Sequence, residues 1–200
     1  MLRIEKAVLA GIIITFALVM CDFSAQRDDI SDKILRLHVI ANSDELADQE
    51  LKIQVRDRIL REGAAGFSGQ TDKAAVAREV EQRIPELTRA AQDEIQKQGY
   101  DYPVTLQMEK THFDTRVYND VTLPAGVYDA LRVVIGTGEG QNWWCVMFPP
   151  MCLPAAEETQ ALSDVLTEGE LQTVEGGKKF EIRFKTLEVY EEFLRWVRGE

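Results

Sequence analysis

The chain has 200 residues, 45% of them hydrophobic, with 23 Lys plus Arg against 34 Asp plus Glu and a formal net charge of −11. That length suits one domain with a small appendage, and the apolar fraction supports a globular core. The acidic balance argues against a nucleic-acid binder or a polybasic membrane attachment. Three cysteines and two histidines leave little for a multi-ligand metal site.

Arg3 and Lys6 precede an uncharged run from Ala7 to Met20 (AVLAGIIITFALVM). This run is shorter than the roughly 20 residues of a comfortable membrane span. It has the form of a secretory signal peptide over residues 1–26. An uncleaved anchor through residues 7–20 is the alternative, because Phe23 spoils a small-x-small cleavage pattern before Ala25. Met20 before Cys21 argues against lipoprotein processing. Residues 1–26 hold two cations and two anions, so the exported part, residues 27–200, keeps the whole −11.

Ile34–Ala41 (ILRLHVIA) predicts a strand. Asn42-Ser43-Asp44 offers N-cap chemistry for a helix over 45–62 ending at Gly63. The apolar rows Leu51/Val55/Ile59 and Leu46/Ile53/Leu60 of that helix lie on nearly opposite faces, which predicts a sandwiched helix. A second helix is expected from Thr71-Asp72 to Gln98, striped by Val76, Val80, Ile84, Leu87, Ala91 and Ile95. Pro85 should kink or split it. Gly63–Gly69 reads as a short linker. Strands follow at Val104–Met108, Val127–Ile135 and Trp143–Phe148, with Gly136–Gly140 as a hairpin loop rather than a phosphate cradle, since no helix follows the glycines. Lys178–Phe184 predicts a further strand and Leu187–Arg198 an amphipathic helix. The order predicts an α+β fold, a single domain with helices packed on a mainly antiparallel sheet.

After export, Cys145 and Cys152 would be the only thiols left in the mature domain, and Pro149-Pro150 can turn the chain between them. A structural disulfide is the leading reading, contributing on the order of 2–3 kcal/mol. Two free thiols are the bland alternative. A Cys145 nucleophile in an exported thiol hydrolase is the sharp one, and it needs His38 or His112 in hydrogen-bonding reach. His38 on an apolar strand reads more readily as a core histidine. Asp114-Thr115 is followed by Arg116 where an aspartic protease has glycine, and no second such motif exists. His112 and Asp114 lack further metal ligands. No cofactor is indicated. Trp143, Trp144, Phe148, Pro149 and Pro150 concentrate large apolar side chains around one turn. They are the candidate partner-binding residues, with a purely core role as the alternative of nearly equal weight. Alternation sends Trp143 and Trp144 to opposite faces.

Leu35–Asp44, Lys52 with Arg56-Asp57, Pro124–Leu131, and Gly138-x-Gly140-x-Asn142-Trp143-Trp144-Cys145-Val146-x-Phe148-Pro149-Pro150-x-Cys152 together resemble the stage II sporulation protein R family. The resemblance covers roughly residues 30–155 and the leader. It implies a secreted, non-enzymatic signalling protein, exported from the forespore to the intermembrane space. Its implied partner is a membrane-embedded aspartic protease of the mother cell, which removes the pro-sequence of sigma factor E. No catalytic residues carry over from the family.

Overall fold

The structure is a computed structural model that describes residues 6–11, 14–15, 27–67, 70–118, 121–149, 162 and 165–175. Contacts divide the chain into two compact units.

The larger unit, Asp32–His112 with Val127–Glu168, holds a four-stranded mixed sheet. Strand β1 (Leu35–Ile40) runs into helix α1 (Leu46–Phe67) and helix α2 (Lys73–Lys97), then strand β2 (Val104–Phe113). Strand β5 (Gly126–Ile135) and strand β6 (Asn142–Phe148) complete the sheet in the order β2-β5-β1-β6. The α+β expectation holds. At the centre, however, β1 pairs parallel with β5 and antiparallel with β6. The parallel pair is possible because two helices, β2 and residues 114–125 intervene between β1 and β5, long enough to return the chain to the end of the sheet where β1 starts.

Register explains which residues fill the core. On β1, Leu35, Leu37 and Val39 are 0% exposed and point to the helices with Leu131, Val133 and Ile135 of β5 and Cys145 and Met147 of β6. Alternation sends Arg36 and His38 to the opposite face beside Arg132 and Trp144. Arg36 is fully buried there with its guanidinium 5.0 Å from the Tyr128 ring centre. The α2 stripe is buried as its period requires, with Ile84 partly so. At the edge of the helix face, Lys73 from the start of α2 pairs with Asp129, which Lys110 also approaches at 3.8 Å.

Three expectations are corrected. Helix α1 continues through Gly63 to Phe67, because Ala64-Ala65 restores helix propensity after a single glycine. Its Leu51/Val55/Ile59 row is fully in the core, while in the other row Leu60 is buried, Ile53 half-buried and Leu46 76% exposed, so the second face is covered only toward the end of the helix. Helix α2 runs from Lys73 to Lys97 as one helix, so Pro85 does not split it. Pro85 and Glu81, whose carbonyl loses its in-helix donor, are both exposed, and water can take over that bond.

The smaller unit comprises residues up to Ser31, Phe113–Gly126 and Gly169 onward. Its described part includes a helical segment at 27–33, cut by the unit boundary, and the antiparallel pair β3 (Arg116–Tyr118) and β4 (Val121–Leu123). Most of helix α3 (Glu168–Glu175) belongs to it as well. The Thr115 hydroxyl accepts the Ala125 amide at 3.1 Å across the base of the ribbon, so the Asp114-Thr115 segment is engaged in holding a turn. Near the N-terminus, residues 6–11 and 14–15 are helical and exposed, and among the described residues no helix is long and apolar enough to cross a membrane. The segments expected as a strand at 178–184 and a helix at 187–198 lie outside the described residues, as do Cys21, Pro150 and Cys152.

Candidate functional site

The first and last sequence motifs meet at one end of the larger unit's sheet. Strand β5 and strand β6 flank β1 instead of pairing with each other, so residues 136–141 do not close a simple hairpin. They cross over the end of β1 and bond to the residues that follow it. Asn42 anchors this crossing: its side-chain oxygen accepts the Thr137 amide at 3.0 Å, and its carbonyl accepts the Thr137 hydroxyl at 2.9 Å and the Glu139 amide at 3.2 Å. The Ala41 carbonyl accepts the Gly140 amide at 3.0 Å.

The glycines are required by this closeness. Gly136 has φ +60°, and a Cβ there would fall 2.1 Å from Asn42 Oδ1; a Cβ on Gly140 would lie 2.2 Å from the Ser43 carbonyl oxygen. The expected N-cap residues are therefore shared between the loop and the helix. Ser43 Oγ accepts the Glu45 amide at 3.2 Å, while Asp44 Oδ1 takes the Gln141 amide at 2.8 Å.

Below this turn, Asp48 is 4% exposed and its Oδ2 accepts from Ser43 Oγ at 2.6 Å and from Asn42 Nδ2 at 2.8 Å. Burial works against its charge, but the hydrogen bonds from Ser43, Asn42 and the Tyr102 hydroxyl outweigh it and hold the carboxyl below its ordinary range. One turn further along α1, Lys52 is also 4% exposed, and its ammonium donates to Gln49 Oε1 and, at 2.9 Å, to the Gln141 carbonyl. Burial pushes its pKa down, against the pull of Asp44. Its two neutral acceptors tie helix α1 to the loop.

The next turn of α1 brings Arg56 over the Trp143 ring, 4.6 Å from guanidinium carbon to ring centre. Arg56 also pairs with Asp57 at 2.6 Å. Trp143 remains 38% exposed on the helix side of β6. Its neighbour Trp144 points to the other face, as alternation requires, and stacks on His38 with ring centres 3.7 Å apart and planes at 20°. The other contact candidates are placed differently: Phe148 is 2% exposed in the core and Pro149 is buried.

His38 is itself 6% exposed. Its Nε2 lies 2.8 Å from Asn142 Oδ1, an atom that can only accept, which assigns the proton to Nε2. Its Nδ1 is buried with no hydrogen-bond partner among the described residues. Burial lowers its pKa, Asn142 and Glu109 oppose this, and Arg132 adds to it, so the ring is neutral near pH 7. Because the folded-state pKa lies below the unfolded one, the neutral ring contributes stability that is complete above the unfolded value of about 6.5 and lost as pH falls through the folded value. Thermal melts from pH 7.5 to 5.5 should therefore fall more steeply for the wild type than for His38→Gln. Parallel profiles would refute the assignment.

Cys145 and His38 stand on opposite faces of the sheet, Cys145 opposite Leu37 and His38 opposite Trp144. His112 is on β2, the far strand of the sheet from β6. The structure thus brings Cys145 to neither histidine. Among the described residues, no three His, Cys, Asp or Glu side chains converge as metal ligands. A cleft of about 440 Å³ beside Lys73, Arg78, Glu81, Lys110 and Asp129 mixes both charges and includes none of the expected contact residues. Asp48, Gln49 and Gln141 are site residues that the sequence did not single out, and Asn142 enters only through the family motif; the Asp48–Ser43 and Asn142–His38 bonds span 5 and 104 positions.

Comparison with known proteins bears on this arrangement. The sequence profile of the family described as Stage II sporulation protein R matches residues 31–158, which include β1, both long helices, the crossing loop and β6. Stage II sporulation protein R of Bacillus subtilis (strain 168) is 35% identical over 123 residues, covering 62% of this chain and 55% of the relative. The match thus spans little more than half the relative's length. No solved structure matches the chain. With its interlocked Asn42 turn and Gly136–Trp144 loop both inside the matched region, the chain belongs to the stage II sporulation protein R family.

Proposed function

We propose that this chain is a non-enzymatic signalling ligand of endospore formation. It is exported from the forespore into the intermembrane space, either freed from residues 1–26 or tethered through residues 7–20. There it activates the membrane-embedded aspartic protease that removes the pro-sequence of sigma factor E. The observation that carries the reading is the convergence of the motifs on an exposed aromatic platform. Asn42, Asp44, Lys52 and Gly140 build a rigid loop, and that loop presents Trp143 at the surface with Arg56 on one ring face.

Rigid placement of a large aromatic suits recognition, since little freedom is left to lose on binding. Activation further requires that the ligand prefer the active form of the protease. A bridge between Cys145 and Cys152 belongs to the same reading: the Cys145 sulfur is engaged, and closing that short loop would fix the end of β6. Before reduction neither Cys145 nor Cys152 should react with a thiol reagent, and reduction should add two hydrogens.

The test is co-expression of the chain with the candidate protease and pro-sigma-E, with cleavage followed by immunoblot. Cleavage should depend on the chain. Equal cleavage without it would end the signalling reading. Trp143→Ala should lower cleavage about tenfold or more, as loss of a central aromatic contact does. It should remove about 2–3 kcal/mol of stability, since the ring is 38% exposed and loses its covered apolar area together with the Arg56 contact. A variant that melts far below wild type would return Trp143 to a purely structural role.

A further inference from the structure

The platform around Trp143 has a sign. Glu45, just before α1, and Gln49, Lys52 and Arg56 on it follow one flank at intervals of four, three and four residues, the flank that meets the crossing loop. On this end of the sheet Asp44, Glu45 and Glu139 are exposed. Its two cations are engaged: Lys52 is buried against the Gln49 and Gln141 oxygens, and Arg56 lies on Trp143 and pairs with Asp57. What reaches solvent here is part of the Trp143 ring and, further along the same loop-and-helix junction, the exposed carboxylates of Glu45 and Glu139.

We infer that this end of the sheet docks a cationic segment of a protein partner. Lysine or arginine side chains of the segment meet Glu45 and Glu139 while its apolar part covers Trp143. The inference rests on the signalling reading and names the chemistry its partner must present. Charge complementarity carries it: a patch of one sign attracts the opposite sign and repels its own. The same rule disfavours an anionic lipid surface. It also disfavours a second copy of this chain, because a two-fold interface would set this acidic rim against itself.

The test uses the purified full chain and fluorescein-labelled penta-lysine and penta-glutamate peptides, with anisotropy read at about 50 mM salt, where screening is moderate. Penta-lysine should bind and penta-glutamate should not. The Glu45→Gln/Glu139→Gln double variant should weaken penta-lysine binding about fivefold, and Trp143→Ala should weaken it as well. Glu81→Gln/Asp93→Asn, which changes net charge equally at exposed positions of α2, should leave it unchanged.

Equal loss in both double variants would overturn the inference, since binding would then follow net charge alone. No loss in either, a preference for penta-glutamate, or self-association abolished by Trp143→Ala would overturn it too. In the co-expression assay the Glu45/Glu139 variant should cut cleavage while the α2 variant does not. Cleavage that is independent of the wild-type chain ends the signalling reading, and the peptide result still decides the sign of the surface.

Discussion

Replacing Gly140 by alanine should destabilise the larger unit by about 3 kcal/mol, in proportion to a backbone clash plus the bonds it breaks. An added Cβ would sit 2.2 Å from the Ser43 carbonyl oxygen, 2.6 Å from its carbon and 2.9 Å from Ala41 Cβ. Two of these are backbone atoms, so no side-chain rotation relieves them. Relief requires the loop to withdraw from β1. Withdrawal breaks the Gly140 amide to Ala41 bond, the Gln141 amide to Asp44 bond and the Lys52 ammonium to Gln141 bond. Lys52 then keeps Gln49 alone while buried, which adds a desolvation cost.

The informative control is Gly99→Ala. Gly99 has φ +88° but open space around its Cβ position, so only the left-handed backbone strain of about 1–2 kcal/mol applies. Urea unfolding should show Gly140→Ala with the lower midpoint and an unchanged slope. Equal midpoints would mean that the loop is free to move off the strand. Gly140→Ala should also depress pro-sigma-E cleavage, because the loop carries Trp143.

How far the sequence foretells this arrangement depends on the range of the interactions. Periodicity places α2, because six apolar residues on one stripe leave a single way to bury them. Alternation separates Trp143 from Trp144, a purely local consequence of strand geometry. The β3–β4 ribbon goes unread because each arm has only three residues, too few to show a period. Its one signal is Asn119-Asp120 between Arg116-Val117-Tyr118 and Val121-Thr122-Leu123. The crossing loop reads as a hairpin because strand order is not a local property: nothing within residues 126–148 shows that β1 will insert between β5 and β6. Lys52 enters through family resemblance alone. On a helix wheel it is an ordinary surface lysine, and its burial follows from Gln141, 89 positions away.

Asp48 tests the polar half of the same junction. Asp48→Ala should cost on the order of 3 kcal/mol, because it strands the Asn42 amide and the Ser43 hydroxyl in a site where the carboxylate is 4% exposed. Asp48→Asn keeps the volume and one acceptor oxygen, so it should cost about half as much. The two variants should also differ from wild type in pH dependence. The folded-state carboxyl titrates below its unfolded value of about 3.9, so its contribution is complete above that value and disappears as pH falls through the folded one.

Between pH 7 and 5 the stability gap between wild type and Asp48→Asn should therefore stay constant. Below pH 4 the gap should narrow as wild type loses the charge that Asn never had. This acid window lies apart from that of His38, whose contribution begins to fade as pH drops below about 6.5, so one melting series against pH resolves both groups. If the gap instead closed between pH 6 and 5, Asp48 would be titrating as a carboxyl raised by burial. The Ser43 and Asn42 donors would then not be holding its charge, and the Asn42 turn would lack the anion that fixes it against α1.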